Sequence, residues 1–165
     1  KDRPEEAIKY FAGTAAYRKN INLSKDLIRP NLNVTLDLGT VHIVDEVRLN
    51  GKEVATLWMP PFTVDITDFI KMGNNELAIL VTNQWSNHLI GDERFAEHYD
   101  GYKLGKHAPN PDLFMPKWYT NNEPMPAGPR TTFTTAPFYK KDDPLIPSGL
   151  VGPVQLRFST KVNKQ

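Results

Sequence analysis

The sequence predicts an all-β protein, a β-sandwich or jelly roll with a long loop insertion. Segments in which apolar and polar residues alternate indicate half-buried strands, and about eight of them are separated by tight turn signals. Prolines recur every few residues from Pro109 to Pro153. Since an interior proline costs a helix about 3 kcal/mol, this half of the chain cannot be helical for long.

The first predicted strands lie between residues 11 and 49. Phe11–Lys19 carries small residues on one face, and Asn33–Leu38 places aliphatic side chains on one face and polar ones on the other. Val41–Leu49 continues the alternation, except that Asp45 falls on the apolar face. That interruption predicts a β-bulge near residues 44–46.

Turn chemistry orders the next segments. Asn50-Gly51 accepts positive φ at both positions and predicts a type I′ hairpin that returns the chain along Lys52–Trp58. Pro60-Pro61 then interrupts the strand pairing. Further strands are predicted at Phe62–Ile66 and Glu76–Thr82, with one helical turn at Thr67–Ile70 between them.

Residues 84–130 form an irregular stretch rich in Pro, Asn, Asp, His and aromatic residues. Loops of this length are usually functional or disordered, and the density of aromatic residues argues against disorder. Arg130–Thr135 and Val154–Thr160 are predicted as the last strands. We therefore predict a single β-sandwich domain over residues 1–165, with an insertion at about residues 84–130.

Composition excludes several classes of protein. The net charge of +1, without long runs of like charge, predicts no nucleic-acid partner and no anionic membrane surface. The absence of cysteine excludes disulfides, thiolate catalysis and Cys-ligated zinc. No apolar run approaches the roughly 20 residues of a membrane span. The opening residues Lys-Asp-Arg-Pro-Glu-Glu contain no signal peptide, as expected of a mature or excised fragment.

Five short pieces stand in order within residues 10–83. They are Tyr17-Arg18-Lys19, Leu36-Asp37-Leu38-Gly39, Leu49-Asn50-Gly51-Lys52, Val64-Asp65-Ile66-Thr67 and Gly73-Asn74-Asn75-Glu76-Leu77. Together they resemble the jelly-roll, sugar-binding domain of family 2 glycoside hydrolases. This resemblance implies a galactose-binding-like sandwich.

Three segments of the second half, Thr82–Glu93, Arg130–Thr135 and Tyr139–Val154, resemble the C-terminal jelly roll of family 106 α-L-rhamnosidases. In that family the catalytic carboxylates lie in a separate barrel domain, for which this chain is too short. The resemblance implies a non-catalytic accessory domain of a larger glycoside hydrolase that degrades polysaccharides. It also implies a catalytic domain of the parent enzyme as partner, and a bacterial protein that is secreted, periplasmic or at the cell surface.

Sugar recognition requires an aromatic ring face and polar groups that meet hydroxyls. The predicted carbohydrate-binding residues are Trp85, Asn87, Asp92, Glu93, Trp118, Tyr119 and Arg130. The alternative for Trp85 is that it covers the core where the preceding strand ends. For Trp118 and Tyr119, which lie in the insertion, a surface binding role and a packing role stay open.

No catalytic residue is predicted in this chain. Glycoside hydrolysis needs two carboxylates at a fixed separation, and the available acids, Asp92, Glu93, Glu97 and Asp100, lie in a polar loop. Nucleophile-elbow, zinc-helix and phosphate-loop motifs are missing.

A structural calcium is the metal that the family resemblance permits. Asp142 and Asp143 are its candidate ligands, because their neighbourhood is rich in oxygen atoms. Two solvated acids in a proline-bounded turn are the alternative.

Three functions stay open on the sequence. The first is an accessory domain that supports the catalytic domain of a rhamnosidase-like hydrolase. The second is an independent carbohydrate-binding module that recognises plant or microbial polysaccharide through the aromatic insertion. The third is a structural interaction domain without a ligand.

Overall fold

The computed structural model describes residues 4–27, 29, 31–95, 101–103, 114–135 and 138–160. The chain divides into two compact units. The sandwich unit consists of Ala12–Gln84 and Pro147–Gln165, and the insertion unit consists of Lys1–Phe11 and Trp85–Ile146.

Strands outnumber helices in the described residues. In chain order the elements are α1 (Glu6–Lys9), β1 (Thr14–Leu23), β2 (Leu32–Asp37), β3 (Thr40–His42), β4 (Val44–Leu49), β5 (Lys52–Leu57), β6 (Thr63–Asp65), β7 (Gly73–Thr82), α2 (Ser86–Asp92), β8 (Gly101–Lys103), β9 (Phe114–Pro116), α3 (Lys117–Thr120), β10 (Gly149–Gly152) and β11 (Gln155–Thr160), with a short 3₁₀ turn at Lys25–Leu27.

The sandwich unit is built from antiparallel sheets. One sheet has four strands in the order β1-β7-β4-β5, and a second has three in the order β11-β2-β6. A two-stranded ribbon of β10 and β3 completes the unit. The predicted all-β sandwich class is confirmed.

The core of the sandwich unit comes from alternate positions of its strands, as the sequence pattern predicts. Its buried aliphatic residues are Val34, Leu36, Leu38, Val41, Val47, Leu49, Ile66, Leu77, Ile79 and Val81. The register explains this arrangement, since Val47 lies opposite Ile79 and Leu49 lies opposite Leu77. Apolar side chains of neighbouring strands therefore meet on one face of the sheet.

The predicted Asn50-Gly51 hairpin is confirmed by backbone geometry. Asn50 has φ 53° and Gly51 has φ 79°, as a type I′ turn requires. The side-chain nitrogen Nδ2 of Asn50 also donates to Asn75 Oδ1 at 3.0 Å. Asn75 is fully buried and accepts a hydrogen bond from Lys71 N–H at 2.9 Å. The hairpin is thereby joined to the loop that leads into β7.

The predicted Val41–Leu49 strand is wrong in one respect. It is divided into β3 and β4 at Ile43, whose φ of 97° is unusual for a β-branched residue. The predicted bulge at 44–46 is displaced as well, because the irregular pairing of β4 with β5 falls between Val47 and Arg48. Asp45 therefore keeps its place on the apolar face and is fully buried.

The predicted strand Arg130–Thr135 is also wrong, since these residues form no strand. β10 and α2 were not predicted from the sequence.

The predicted turn at Thr67–Ile70 is present, and Ile70 N–H donates to Ile66 O at 3.0 Å.

Gly39 lies against another part of the backbone. It has φ +66°, and a Cβ added there would lie 2.6 Å from Gly152 C and 2.7 Å from Pro153 O. We expect Gly39→Ala to lower the free energy of unfolding by about 2 kcal/mol, because both positive φ and the backbone contact penalise a side chain.

Gly51→Ala is the matched control for this substitution. Gly51 also has positive φ, but an added Cβ would meet nothing within 4 Å. We expect a loss of about 1 kcal/mol, from the backbone conformation alone. Equal losses for the two variants in urea unfolding would contradict the predicted contact at Gly39.

The insertion unit contains α1, α2, α3 and a hairpin of β8 and β9, in which Gly101 pairs with Pro116 and Lys103 pairs with Phe114. None of the helices found in the described ranges has the length and apolar character needed to cross a membrane.

Candidate functional site

The four polar residues of the predicted carbohydrate site lie in or next to α2 in the insertion unit. Asn87, near the start of α2, is buried. Its amide nitrogen donates to Ile146 O and its oxygen accepts from Ile146 N–H, both at 2.8 Å. This paired arrangement holds the end of the insertion unit against the helix.

Asp92, at the end of α2, organises the segment that follows Arg130. Its Oδ2 atom accepts hydrogen bonds from the backbone N–H groups of Thr131 at 2.9 Å and Thr132 at 2.8 Å, and from the Thr132 hydroxyl at 2.8 Å. Burial of Asp92 raises its pKa, but these hydrogen bonds and the nearby His88 outweigh burial, so the pKa of Asp92 is lowered overall. Asp92 is therefore a carboxylate fixed in its ionised form.

Arg130 and Glu93 form an ion pair next to Asp92. Arg130 Nη2 lies 2.6 Å from Glu93 Oε1, and the Arg130 side chain is 3% exposed. Its Nε donates to Thr132 O at 3.0 Å and its Nη1 to Asp92 O at 3.3 Å. The guanidinium thus joins the end of α2 to the 130–132 segment.

His88 and Tyr10 extend this network to the first residues of the chain. His88 Nδ1 lies 3.0 Å from Tyr10 O, and Nε2 lies 2.7 Å from Thr131 Oγ1. A carbonyl oxygen can only accept, so His88 Nδ1 donates to Tyr10 O. The Tyr10 ring packs on Gly91, where an added Cβ would lie 2.6 Å from Tyr10 Cγ, and the Arg94 guanidinium lies 4.2 Å from its centroid.

Tyr10 was not among the residues predicted for the site. The sequence offers no signal for Tyr10, because Gly91 marks close packing only within a helix and α2 was not predicted. The two residues also lie about 80 positions apart, so spacing could not pair them.

The predicted aromatic residues differ in exposure. Trp85 is 64% exposed and Tyr119 is 52% exposed. Trp118 is half-buried and packs edge-on against Phe133, with ring centroids 5.0 Å apart. Trp85 and Tyr119 therefore present free ring surface, whereas Trp118 and Phe133 support Tyr119.

These contacts define what the site can do. The polar groups of the four residues Asn87, Asp92, Glu93 and Arg130 contact other residues of the same chain. The rings of Trp85 and Tyr119 are the apolar surfaces that stay exposed. A general acid needs a raised pKa, and Asp92 shows the opposite. Of the other acids considered for catalysis, Glu97 and Asp100 lie outside the described residues. Carbohydrate contact at the seven predicted residues stays a prediction.

Asp142 and Asp143 line a cavity of about 590 Å³ in the insertion unit, together with Lys9, Arg94 and Lys141. Asp143 Oδ2 already accepts a hydrogen bond from Lys140 N–H at 2.8 Å. Calcium takes about six to eight oxygen ligands, so two carboxylates among three cations fit it poorly. Within the described ranges, no group of three or more acidic or histidine side chains is placed to hold a metal. Calcium binding here stays a prediction.

The fold and these contacts define an all-β sandwich domain that carries a helical insertion. No protein-family model matches the chain. It is 44% identical over 153 residues to a protein of Formosa agariphila named "Putative beta-glucuronidase", an alignment that covers 92% of this chain and 12% of that protein.

Two solved structures of glycoside hydrolases also match parts of this chain. The rhamnosidase from Novosphingobium sp. PP1Y matches 96% of this chain with a TM-score of 0.68 and 31% identity, over 12% of its own length. A β-glucuronidase from an uncultured Clostridium sp. matches 49% of this chain with a TM-score of 0.44 and 23% identity, over 14% of its length. The chain therefore spans about an eighth of the relatives it matches, and is similar to one part of larger glycoside hydrolases.

Proposed function

We propose that the chain is a non-catalytic accessory domain of a larger glycoside hydrolase, and that it supports a catalytic domain in the same polypeptide. The observation that carries this proposal is the match of nearly the whole chain to a 12% segment of a much longer rhamnosidase. Asp92, whose hydrogen bonds to Thr131 and Thr132 lower its pKa, is held as a structural carboxylate, which agrees with a supporting role. The parent is a bacterial polysaccharide-degrading enzyme that acts outside the cytoplasm.

The substrate class of the parent has two candidates. Rhamnosidase chemistry, as in family 106 α-L-rhamnosidases, is favoured by the solved structure that covers most of this chain. Glucuronidase chemistry is favoured by the name of the 44% identical relative. Assays of the parent enzyme on aryl α-L-rhamnosides and aryl β-D-glucuronides separate the two.

The chain alone is expected to hydrolyse neither aryl glycoside. Its catalytic partner would be missing, and the ionised Asp92 cannot donate a proton to a leaving group. Turnover by the purified 165-residue chain that is absent from a mock preparation would contradict the proposal, and its loss in an Asp92→Asn variant would identify Asp92 as the acid.

A carbohydrate-binding module is the second candidate function, and the exposed rings of Trp85 and Tyr119 favour it. If it is correct, a glycan array that includes rhamnose-containing pectins detects binding by the chain alone. Trp85→Ala and Tyr119→Ala then reduce that binding by about tenfold, since ring stacking contributes on the order of 1–2 kcal/mol. Trp58→Ala, which also removes an exposed tryptophan but from the sandwich unit, serves as the control.

A further inference from the structure

A polar cavity of about 590 Å³ lies within the insertion unit. Its volume falls in the range of about 300–1,000 Å³ that is usual for binding sites of small ligands. The charged and aromatic residues of its lining are Lys9, Tyr10, Arg94, Lys141, Asp142 and Asp143. None of the lining residues that the structure describes belongs to the seven predicted for carbohydrate binding, so the cavity is a separate site.

One wall of the cavity is built around the Tyr10 ring. Lys9 Nζ lies 5.3 Å from the ring centroid, and the Arg94 guanidinium carbon lies 4.2 Å from it. Arg94 is held in place by its Nε, which donates to Gly91 O at 2.8 Å, and its charge is matched by Glu6. Lys9 has no ion pair with any residue that the structure describes. This wall therefore holds two cations, of which the Lys9 ammonium keeps its charge uncompensated.

A tight turn at residues 140–143 supplies further lining. Lys140 N–H donates to Asp143 Oδ2 at 2.8 Å, and Asp143 N–H donates to Lys140 O at 3.0 Å. The two corner residues of the turn, Lys141 and Asp142, are exposed and line the cavity. Neither side chain has an ion pair or a hydrogen bond with any described residue. The turn therefore presents one cation and one carboxylate to a ligand from a fixed backbone, which lowers the entropy cost of binding.

We propose that this cavity binds an acidic saccharide, in which a sugar residue carries a carboxylate or a sulfate group. The inference rests on the proposed function, because a part of a larger glycoside hydrolase is expected to meet carbohydrate. It extends that function, since the ligand is held by the accessory domain at a site of its own and not by a catalytic centre.

The charge pattern of the lining matches such a ligand. Lys9 and Lys141 each offer an ammonium group with three donors to the acidic group, and charge-assisted hydrogen bonds of this kind are short and strong. Asp142 and the second carboxylate oxygen of Asp143 are acceptors for sugar hydroxyls. A neutral sugar would use only the acceptors, and a free anion would use only the cations. An acidic saccharide uses both sets.

Calorimetric titration of the 165-residue chain with oligosaccharides of matched length tests the proposal. The probes are an oligogalacturonide, which carries carboxylates, a heparin-derived oligosaccharide, which also carries sulfates, and a neutral cello-oligosaccharide. Both acidic probes should bind at least about tenfold more tightly than the neutral one. The tighter of the two acidic probes identifies the preferred acidic group.

Lys9→Gln and Lys141→Gln should each weaken binding of the acidic probes by about tenfold, because each substitution removes a charge-assisted contact. Lys140→Gln is the matched control. It removes the same charge from the neighbouring, exposed residue outside the lining, and it should leave binding unchanged.

Asp142→Ala separates recognition of a saccharide from plain attraction of anions. Loss of a negative charge would strengthen the binding of any anion, whereas loss of a hydroxyl acceptor weakens the binding of a saccharide. We expect Asp142→Ala to weaken binding of the oligogalacturonide by about fivefold and to strengthen binding of inorganic sulfate. Stronger binding of both ligands would contradict the proposed hydroxyl contact.

Several further results would overturn the proposal. They are equal binding of the neutral and acidic oligosaccharides, no binding of either acidic probe at millimolar concentration, and equal binding of tetraglutamate, which has carboxylates but no sugar hydroxyls. Lys9→Gln and Lys141→Gln variants that bind like Lys140→Gln would also overturn it. Trp85→Ala and Tyr119→Ala should not affect this binding, and its loss in them instead would contradict the cavity as the site. Failure of the proposed function is seen separately, as turnover by the chain alone, and does not alter the titration.

Discussion

Replacing Asp45 with asparagine is expected to raise the free energy of unfolding of the sandwich unit by about 3 kcal/mol at neutral pH. Asp45 is fully buried, and neither of its carboxylate oxygens has a hydrogen-bond partner among the described residues. Burial raises the pKa of Asp45 from 3.8 to about 6. At pH 7 the native state therefore holds a buried carboxylate whose charge no hydrogen bond stabilises. Asparagine removes this charge.

The pH dependence has a defined sign. Because the folded pKa of Asp45 is raised, the native state binds this proton more tightly than the unfolded chain does. The contribution of Asp45 to stability is present below about pH 4, is lost as pH rises toward about 6, and stays lost above it. The wild-type chain and Asp45→Asn should therefore be similar in stability near pH 4 and differ most near pH 7.

Urea unfolding followed by NMR signals of the sandwich unit measures this difference. Asp68→Asn, the same change on an exposed loop residue, should alter stability by less than about 0.5 kcal/mol at either pH. A destabilised Asp45→Asn variant at pH 7 would mean that Asp45 has a partner that stabilises its charge.

Removing Arg130 is expected to have the largest effect in the insertion unit. Arg130→Ala leaves the partly buried Glu93 without its cation and removes the donors to Thr132 O and Asp92 O. Loss of one member of a buried ion pair costs about 3–5 kcal/mol. Hydrogen exchange at the Thr131 and Thr132 amides, which donate to Asp92, should become faster by several orders of magnitude.

Arg157→Ala is the matched control for an arginine–carboxylate pair. Arg157 pairs with Asp37 in the sandwich unit, but its side chain is largely exposed. We expect a cost below about 1 kcal/mol and unchanged exchange at Thr131 and Thr132. If Arg130→Ala leaves these amides protected, Arg130 is not the residue that holds the 130–132 segment.

Local chemistry accounts for the parts of the fold that the sequence predicts well. The Asn50-Gly51 turn depends on two residues that tolerate positive φ, and the alternation in β2 depends on which side chains leave water. β10 could not be found in this way. Its four residues, Gly149–Gly152, carry no alternation, and they form a strand through pairing with β3.

The wrong strand at Arg130–Thr135 shows how tertiary contacts override propensity. The β-branched residues favour a strand, yet the N–H groups of Thr131 and Thr132 donate to the Asp92 carboxylate instead of a neighbouring strand. The helix α2 was missed for a related reason. Its buried face includes the polar residues Asn87 and Asp92, so no apolar period marks it.

In the candidate site, too, residue type indicates some properties, and others depend on tertiary contacts. Residue type alone predicted that Asn87, Asp92, Glu93 and Arg130 supply polar contacts to a sugar, and that stays a prediction. In the structure their polar groups contact other residues of the insertion unit. Their partners, Ile146, Thr131 and Thr132 among them, follow from the fold and not from sequence spacing. Exposure of Trp85 and Tyr119 likewise depends on what packs around them.

Association of this chain with the remainder of its parent polypeptide tests the central claim most directly. The two parts are produced separately, mixed, and followed by sedimentation and by turnover of aryl α-L-rhamnoside and aryl β-D-glucuronide. An accessory domain predicts a one-to-one complex in which the remainder carries all turnover and gains thermal stability from the chain. Turnover by the chain alone, or no association at concentrations where the chain binds glycans by itself, would contradict the account.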